Sequence, residues 1–414
     1  MKNYYDVCII GGGASGLAAA VYIKQRNENI TVAVLERLSR VGKKLITTGN
    51  GRCNITNADE ALSHYHGERS DFASYALERY SNEQIEAFFS SIGVPFCRDE
   101  KGRYYPASLQ ASSVVDALRF SCDALGVKTF TECKVKAAIK EEGGYLLKTE
   151  KGDFSAGSVI FAAGLYSGGI RVGCDGAALD ILKNSGYKAV KVTPAIVQIK
   201  TENAVTRALK GIKIDAAATL IIGGKEVCRE SGEVLFCDYG LSGPPILGIA
   251  REVERQSGDK AVILDIMPDK SEGGVVSLLS SLKAALYYRN LDEFLSGALN
   301  KRLGQAIIKA AGLKLSSSVS SLKDDDIKRI AGLIKRFSFK VISTTGFENS
   351  QVTAGGLDTD AFDSTTMMSK TQKGLYATGE ILDIDGDCGG YNLHFAFSSA
   401  FCAADSILKD YSDD

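Results

Sequence analysis

The 414-residue chain predicts an α/β fold interrupted by a long insertion that is β-rich at first and helical afterwards. Three observations predict it. Residues 4–10 (YYDVCII) form an apolar run that passes straight into a glycine cluster and then an amphipathic stretch. From about residue 190 the chain changes to short apolar runs (AIVQIK, ATLIIGG, KEVCRE, AVILDIM) punctuated by Gly and Pro, then over 275–336 to a Ser/Lys-rich helical pattern. Near 341–345 it returns to apolar runs that end in small residues, QVTAGG and GLYATGE. The expected organisation is a discontinuous first domain, 1–190 with 345–414, around an insertion over 191–344. The insertion is β-rich over about 191–270 and helical over about 271–340.

Taken in order, residues 4–10 and 31–35 read as buried strands, and 14–26 as a helix laid on them through Leu17, Ala20, Val21 and Ile23. That is a βαβ unit. Residues 81–92 and 112–125 read as helices, the second carrying Val114, Val115, Leu118 and Leu125 at helical spacing with Gly126 as its C-terminal stop. A meander follows through 134–140, 145–149 and 158–162, and a helix from Asp175-Gly176 to Gly186. Ser316–Ser321 and Asp324–Asp326 read as a solvated loop and a helix start.

Composition is that of a globular protein, 45% hydrophobic and 24% charged. Lys plus Arg (49) nearly balance Asp plus Glu (50), which argues against a general nucleic-acid binder, so no nucleic-acid partner is expected. No apolar run approaches the roughly 18 residues of a membrane span, and the start enters a strand with no room for an export signal. A cytoplasmic location and no membrane partner are expected. The ten cysteines contain no C-x-x-C pair, and with only His64, His66 and His394 no metal site is expected.

Residues 11–16 (GGGASG) satisfy G-x-G-x-x-G. Gly11 permits the tight turn out of the strand, Gly13 lets the backbone approach a pyrophosphate, and Gly16 lets the helix lie close to the sheet. Ala14 and Ser15 open the helix, whose N-terminal N–H groups and partial positive charge suit phosphate. Glu36 ends the next strand twenty positions after Gly16, where a carboxylate accepts both hydroxyls of an adenosine ribose.

NAD and FAD share this fingerprint. The segment GKKLITTGNGRCN (42–54), with Lys43, Lys44, Gly51, Arg52, Cys53 and Asn54, is a polar, backbone-exposing loop that suits a ligand extending past the pyrophosphate, as FAD does. SVIFAAG ends a strand at Ala163 and Gly164; GLYATGEILD delivers Gly379 and Glu380, the latter placed to accept from ribityl hydroxyls. The glycine-rich turn at 385–390 opens a helix whose N–H groups at Asn392 and Leu393 suit the electron-rich edge of a reduced flavin. Arg37, Val135, Asp385, Gly390 and Tyr391 complete the candidate cofactor set. Cys53 reads as a small packed side chain rather than the redox partner of Cys388. His394 reads equally as a ligand to flavin or substrate and as a structural histidine.

These motifs resemble the YhiN/BaiN-like family of bacterial flavoproteins, some of whose members carry the label aminoacetone-oxidase-like. The matching stretches are IIGGGASGLAAA, GKKLITTGNGRCNITN, GEVLFCDYGLSGPPIL, QVTAGGLDT and GLYATGEILDIDGDCGGYNL. The resemblance implies a Rossmann-like FAD-binding domain interrupted by a β-barrel-like and a helical part. It also implies redox chemistry at the flavin; the bile-acid branch implies reduction of steroid-like enones with a nicotinamide donor. The chain departs from the family at Cys237-Asp238, where Thr-His is frequent, at Met368, where Glu is, and at Ala400, where Gly is.

The leading expectation is an FAD oxidoreductase passing hydride between flavin and a small, fairly apolar substrate. No second G-x-G-x-x-G follows a strand, so NAD(P)H is expected only as a transient donor. An amine-type oxidase, a flavin-dependent RNA-modifying protein and a non-catalytic flavin module are the alternatives. The substrate is expected over the flavin, between the 351–356 turn, the 385–394 loop and segment 236–245 of the insertion, with Tyr239, Tyr391 and His394 as candidate catalytic groups.

Overall fold

In the computed structural model, which describes residues 3–411, the opening apolar run is strand β1 (Asn3–Ile10), whose last four residues are buried. Helix α1 (Ala14–Arg26) and strand β2 (Val32–Leu35) complete the βαβ unit, with β2 parallel to β1. Helix α1 is buried from Ser15 through Ile23 rather than along one stripe. Its small residues Ala18, Ala19 and Ala20 admit the sheet on one side and the final helix, Tyr391–Asp410, on the other, where Tyr22 stacks on Phe401 at 4.5 Å.

Strands β3 (Lys128–Phe130), β4 (Val135–Glu141), β5 (Gly144–Thr149) and β6 (Gly152–Phe161) finish the main sheet in the order β3-β2-β1-β6-β5-β4. One edge of β6 is shared. Its first half pairs antiparallel with β5, and its last three residues pair parallel with Leu375–Ala377, a strand from the far end of the chain. The mixed sheet therefore has five parallel strand ends side by side, those of β3, β2, β1, β6 and Leu375–Ala377.

The chain divides into two compact units. One runs to Pro194 and resumes at Phe347; the other spans Ala195–Gly346. In the second, strands β7 (Ile199–Thr201), β8 (Lys213–Ile222), β9 (Lys225–Phe236), β10 (Gly240–Ser242), β11 (Lys260–Asp265) and β12 (Phe337–Thr344) close an antiparallel barrel in the order β7-β10-β9-β8-β11-β12. The β8–β9 hairpin turns on Gly223-Gly224, both at positive φ (56° and 80°), as a tight right-twisted hairpin requires. Helices α2 (Glu272–Ala285), α3 (Lys301–Ala310) and α4 (Asp324–Lys335) lie between β11 and β12 in sequence and share the barrel's core. The acidic run 324–326 is the first turn of α4, where negative charge suits the helix dipole. No helix among the described residues is long and apolar enough to cross a membrane.

Candidate active site

Four turns meet at the C-terminal edge of the parallel strands: Gly11–Gly16 after β1, Glu36–Leu38 after β2, Ala162–Gly164 after β6 and Thr378–Glu380 after Leu375–Ala377. Each glycine of the fingerprint has a separate geometric duty. A Cβ on Gly11 (φ +108°) would stand 2.6 Å from Ala163 Cα, and one on Gly16 would stand 2.0 Å from the Gly11 carbonyl oxygen. A Cβ on Gly13 would meet nothing nearer than the Ala162 oxygen at 3.9 Å, so that face of the backbone is open. Ala14 and Ser15 begin α1, with no acidic residue in its first turn, and the Ser15 hydroxyl is hydrogen-bonded to Thr378 Oγ1 at 2.5 Å.

Glu36 is buried, and its carboxylate accepts from the Gly12 N–H (2.9 Å) and the Leu38 N–H (2.7 Å). Burial pushes its pKa up, and these backbone bonds act against the rise. A carboxylate has about four acceptor positions, so these bonds leave capacity for a ribose hydroxyl. Val135 is buried at the start of β4, which follows Cys133, whose N–H donates to the Glu36 carbonyl. Arg37 is committed to an ion pair with Asp175, which also takes Lys134 at 3.1 Å.

The 42–54 loop is tied to the fingerprint by the Gly42 N–H, which donates to the Gly12 carbonyl at 2.7 Å. Lys43 and Lys44 open a short helix, Lys43–Thr47. Lys44 is ion-paired with Glu380 and hydrogen-bonded to Ser167. Burial works against its charge, but Glu380 outweighs that and holds Lys44 above its ordinary range. Glu380 also accepts from the Ser167 hydroxyl and the Thr353 N–H (3.2 Å), so much of its capacity is spent inside the protein. Gly51 and Arg52 are exposed, the guanidinium lying 4.8 Å from the Tyr105 ring centre. Cys53 is fully buried at positive φ (59°), and burial pushes its thiol up to about 12.

Asn54 carries a signal of its own. Its Oδ1 is buried and has no hydrogen-bond partner. It lies beside Gly390 (φ +109°), where a Cβ would be 2.9 Å from that oxygen. Gly390 precedes the final helix, so the free N–H groups at Tyr391, Asn392 and Leu393 start next to this acceptor. Gly379 (φ +69°) donates its N–H to Ser399 of the same helix at 3.0 Å, and Asp385 is buried in a strand bridge with His66. An open glycine face at a helix N-terminus, a buried ribose-type carboxylate and an acceptor without a donor at a second helix head fit a long dinucleotide with a hydrogen-bonding ring system, which is FAD.

His394 is 2% exposed, with Nδ1 on Thr56 Oγ1 (2.8 Å) and Nε2 on the Tyr80 carbonyl (2.8 Å). Both nitrogens are engaged inside the protein and burial pushes the pKa down, which favours the structural one of its two expected readings. Tyr391 is buried, with its ring stacked on His64 at 4.3 Å; burial pushes its phenol up to about 12, with Asp59 and Asp387 adding to the rise. Tyr239 belongs to the barrel unit, where its carbonyl accepts from the Thr201 N–H and burial, then Cys237, raises its pKa. Among the described residues no group of three His, Cys, Asp or Glu side chains is arranged to hold a metal. Sequence reading passed over Gly42, Ser167, Thr353 and Thr378. Of these only Gly42 stands in a quoted motif as a glycine, and its positive φ (71°) and the Val115 methyl 2.6 Å from its would-be Cβ explain it.

Fold and site together define the class: an FAD-dependent oxidoreductase built on a Rossmann-like domain with a six-stranded barrel insertion. The chain belongs to the family of the HI0933-like protein Rossmann domain, which matches residues 5–406. It is 32% identical to the 3-dehydro-bile acid delta(4,6)-reductase of Clostridium scindens, over 95% of this chain and 97% of that one. It is 27% identical to the ribosomal RNA dihydrouridine synthase of Haemophilus influenzae, over 99% and 100%. The 3-ketosteroid delta1-dehydrogenase of Sterolibacterium denitrificans shares the fold, at a TM-score of 0.53 and 13% identity over 99% of this chain and 100% of that one.

Proposed function

We propose that the protein reduces a carbon–carbon double bond conjugated to a carbonyl, on a small and fairly apolar substrate such as a steroid-like enone, with NAD(P)H as transient donor. The observation that carries this reading is the 32% identity, across 95% of the chain, to a relative named for reducing the delta(4,6) unsaturation of a 3-dehydro-bile acid. A second reading, a uracil ring in RNA, is favoured by the dihydrouridine synthase relative. It asks for the same chemistry, since the double bond of uracil is also conjugated to a carbonyl.

When bound, FAD supplies the hydride. The chain's own groups do the rest. The head of α1, Gly13 and Glu36 would hold the ADP half. Lys44 and Glu380, with Ser167, would brace the rest of the cofactor, and Asn54 Oδ1 would accept a hydrogen bond from it. The N–H dipoles at the head of the final helix would favour negative charge added to it. Tyr391 is the candidate donor of the proton that must reach the carbon beside the carbonyl.

The test has two arms: the FAD-loaded protein reduced anaerobically with NADH or NADPH is offered a Δ4-3-ketosteroid or uridine-containing rRNA and followed by flavin reoxidation, and the oxidised FAD-loaded protein is offered a primary amine and followed by flavin bleaching. Reoxidation by the ketosteroid with saturation of its double bond supports the reading. Turnover of rRNA uridine alone moves it to the second, and amine oxidation alone overturns both. Tyr391→Phe keeps its FAD and loses roughly 10²–10⁴-fold in turnover.

A further inference from the structure

Two of the three histidines hydrogen-bond to one carboxylate, Asp387, beside the site just described. Asp387 lies in the turn before the final helix. Its Oδ2 is 2.9 Å from His64 Nδ1 and its Oδ1 is 2.8 Å from His66 Nε2. The other nitrogen of His64, Nε2, is 2.9 Å from Asp59 Oδ2. The main chain makes the same join. Tyr65–His66 pairs antiparallel with Asp385–Gly386, and the Asp387 N–H donates to the His64 carbonyl at 2.9 Å. The turn is latched from its other side as well. Asn392 exchanges hydrogen bonds with the Gly386 N–H (2.8 Å) and carbonyl (2.7 Å), and Asn57 Nδ2 donates to the Gly389 carbonyl (2.9 Å). The His64 ring lies nearly parallel to the Tyr391 ring, 19° between planes.

A neutral imidazole has one N–H and one lone pair. Between two carboxylates it satisfies one and sets its lone pair against the other; only the imidazolium donates to both. Burial works against that charge, but the hydrogen bonds to Asp59 and Asp387 outweigh it and raise the His64 pKa. Burial likewise opposes the Asp387 charge, and His66 and His64 outweigh it to hold that carboxyl low. The other titratable groups around the cluster are the phenols of Tyr65 and Tyr391, Glu60 beside Tyr65, and Cys388 beside Asp387, with Arg103 beside Cys388. An imidazolium over the face of Tyr391 is also a favourable cation–ring contact.

We infer that His64, as an imidazolium, is a positioning residue: it clamps Asp387 and bears on Tyr391, fixing the Asp385–Gly390 turn and the head of the final helix in their working places. This rests on the proposed reading that the helix head faces the flavin. Because His64 is raised in the folded protein, the clamp is complete below the ordinary histidine value of about 6.5 and is lost as pH rises through the folded value.

The experiment uses the FAD-loaded chain with fluorotyrosine incorporated, the Tyr391 fluorine signal being assigned by its loss in Tyr391→Phe. The Tyr391 signal is expected to show a step at the His64 titration that is absent in His64→Gln. In Asp59→Asn, a change at an exposed side chain that leaves Asp387 and the stacking intact, the step moves to lower pH by about half to one unit. The alkaline limb of enone turnover, read in parallel, moves with it. A Tyr391 signal that titrates identically in the parent, His64→Gln and Asp59→Asn overturns the clamp. A step that moves as stated, with no matching limb in turnover, sustains the clamp and overturns the placement of Tyr391 at the reaction centre.

Discussion

Lys44 and Glu380, 336 positions apart in the chain, form an ion pair at the edge of the Rossmann sheet, and Ser167 hydrogen-bonds to both. The pair joins the loop after β2 to the strand end after Leu375–Ala377, so one contact sets the separation of two segments of the candidate site.

Breaking that pair should loosen both segments. Lys44→Met leaves Glu380 with Ser167 and Thr353 only, and the loss of charged hydrogen bonds is worth about 1.5–3 kcal/mol. Chemical denaturation of the apoprotein reads this as a lower midpoint. The raised Lys44 pKa contributes stability that is present below the unfolded value and lost as pH rises through the folded one. The parent should therefore lose stability in strong alkali more steeply than Lys44→Met does.

Gly13 and Gly16 should separate under the same substitution. Gly16→Ala drives a methyl to 2.0 Å from the Gly11 oxygen and should destabilise the fold by about 1–3 kcal/mol. Gly13→Ala meets open space, so its apoprotein should melt like the parent while FAD no longer seats. Thermal melts with and without added FAD check both. Equal losses of stability in the two variants would remove the distinction.

Glu36→Ala should purify with little FAD. It removes the acceptor for the ribose and also the partner of the Gly12 and Leu38 N–H groups. At about 1.5–3 kcal/mol per charge-assisted bond, a single such loss weakens binding roughly ten- to hundredfold. Titration of the apoprotein with FAD, followed by flavin fluorescence, measures it. Unchanged affinity would reject Glu36 as a cofactor ligand.

His394→Gln should lower stability without lowering turnover per bound FAD. Burial of the imidazole depresses its pKa. The imidazole thus favours the fold above about pH 6.5, and that contribution falls as pH drops toward the folded value, because the unfolded chain binds the proton first. The parent should show an acid-side loss of stability near that range that the variant lacks. A selective fall in turnover at full FAD occupancy would restore a catalytic role.

The βαβ unit was legible because its demands are local. Apolar runs of strand length, a glycine fingerprint within six residues and a carboxylate at the next strand end need no distant partner to be recognised. Apolar periodicity likewise marks the β-rich and helical parts of the insertion. It does not reveal that β12, after the helices, returns to close the barrel against β7, because strand pairing is a long-range choice.

By itself, then, the sequence determined the fold class and marked the segments proposed to hold a dinucleotide, since backbone conformation and hydrophobic period are written residue by residue. Tertiary structure alone decided what each polar side chain has left to offer. His394 is spent on Thr56, 338 positions away, and on Tyr80; Glu380 is shared among Lys44, Ser167 and Thr353; Asn54 Oδ1 is left without a partner. The physical reason is that a hydrogen-bonding group has a small, fixed capacity, and the neighbours that consume it are brought in by packing rather than by sequence spacing.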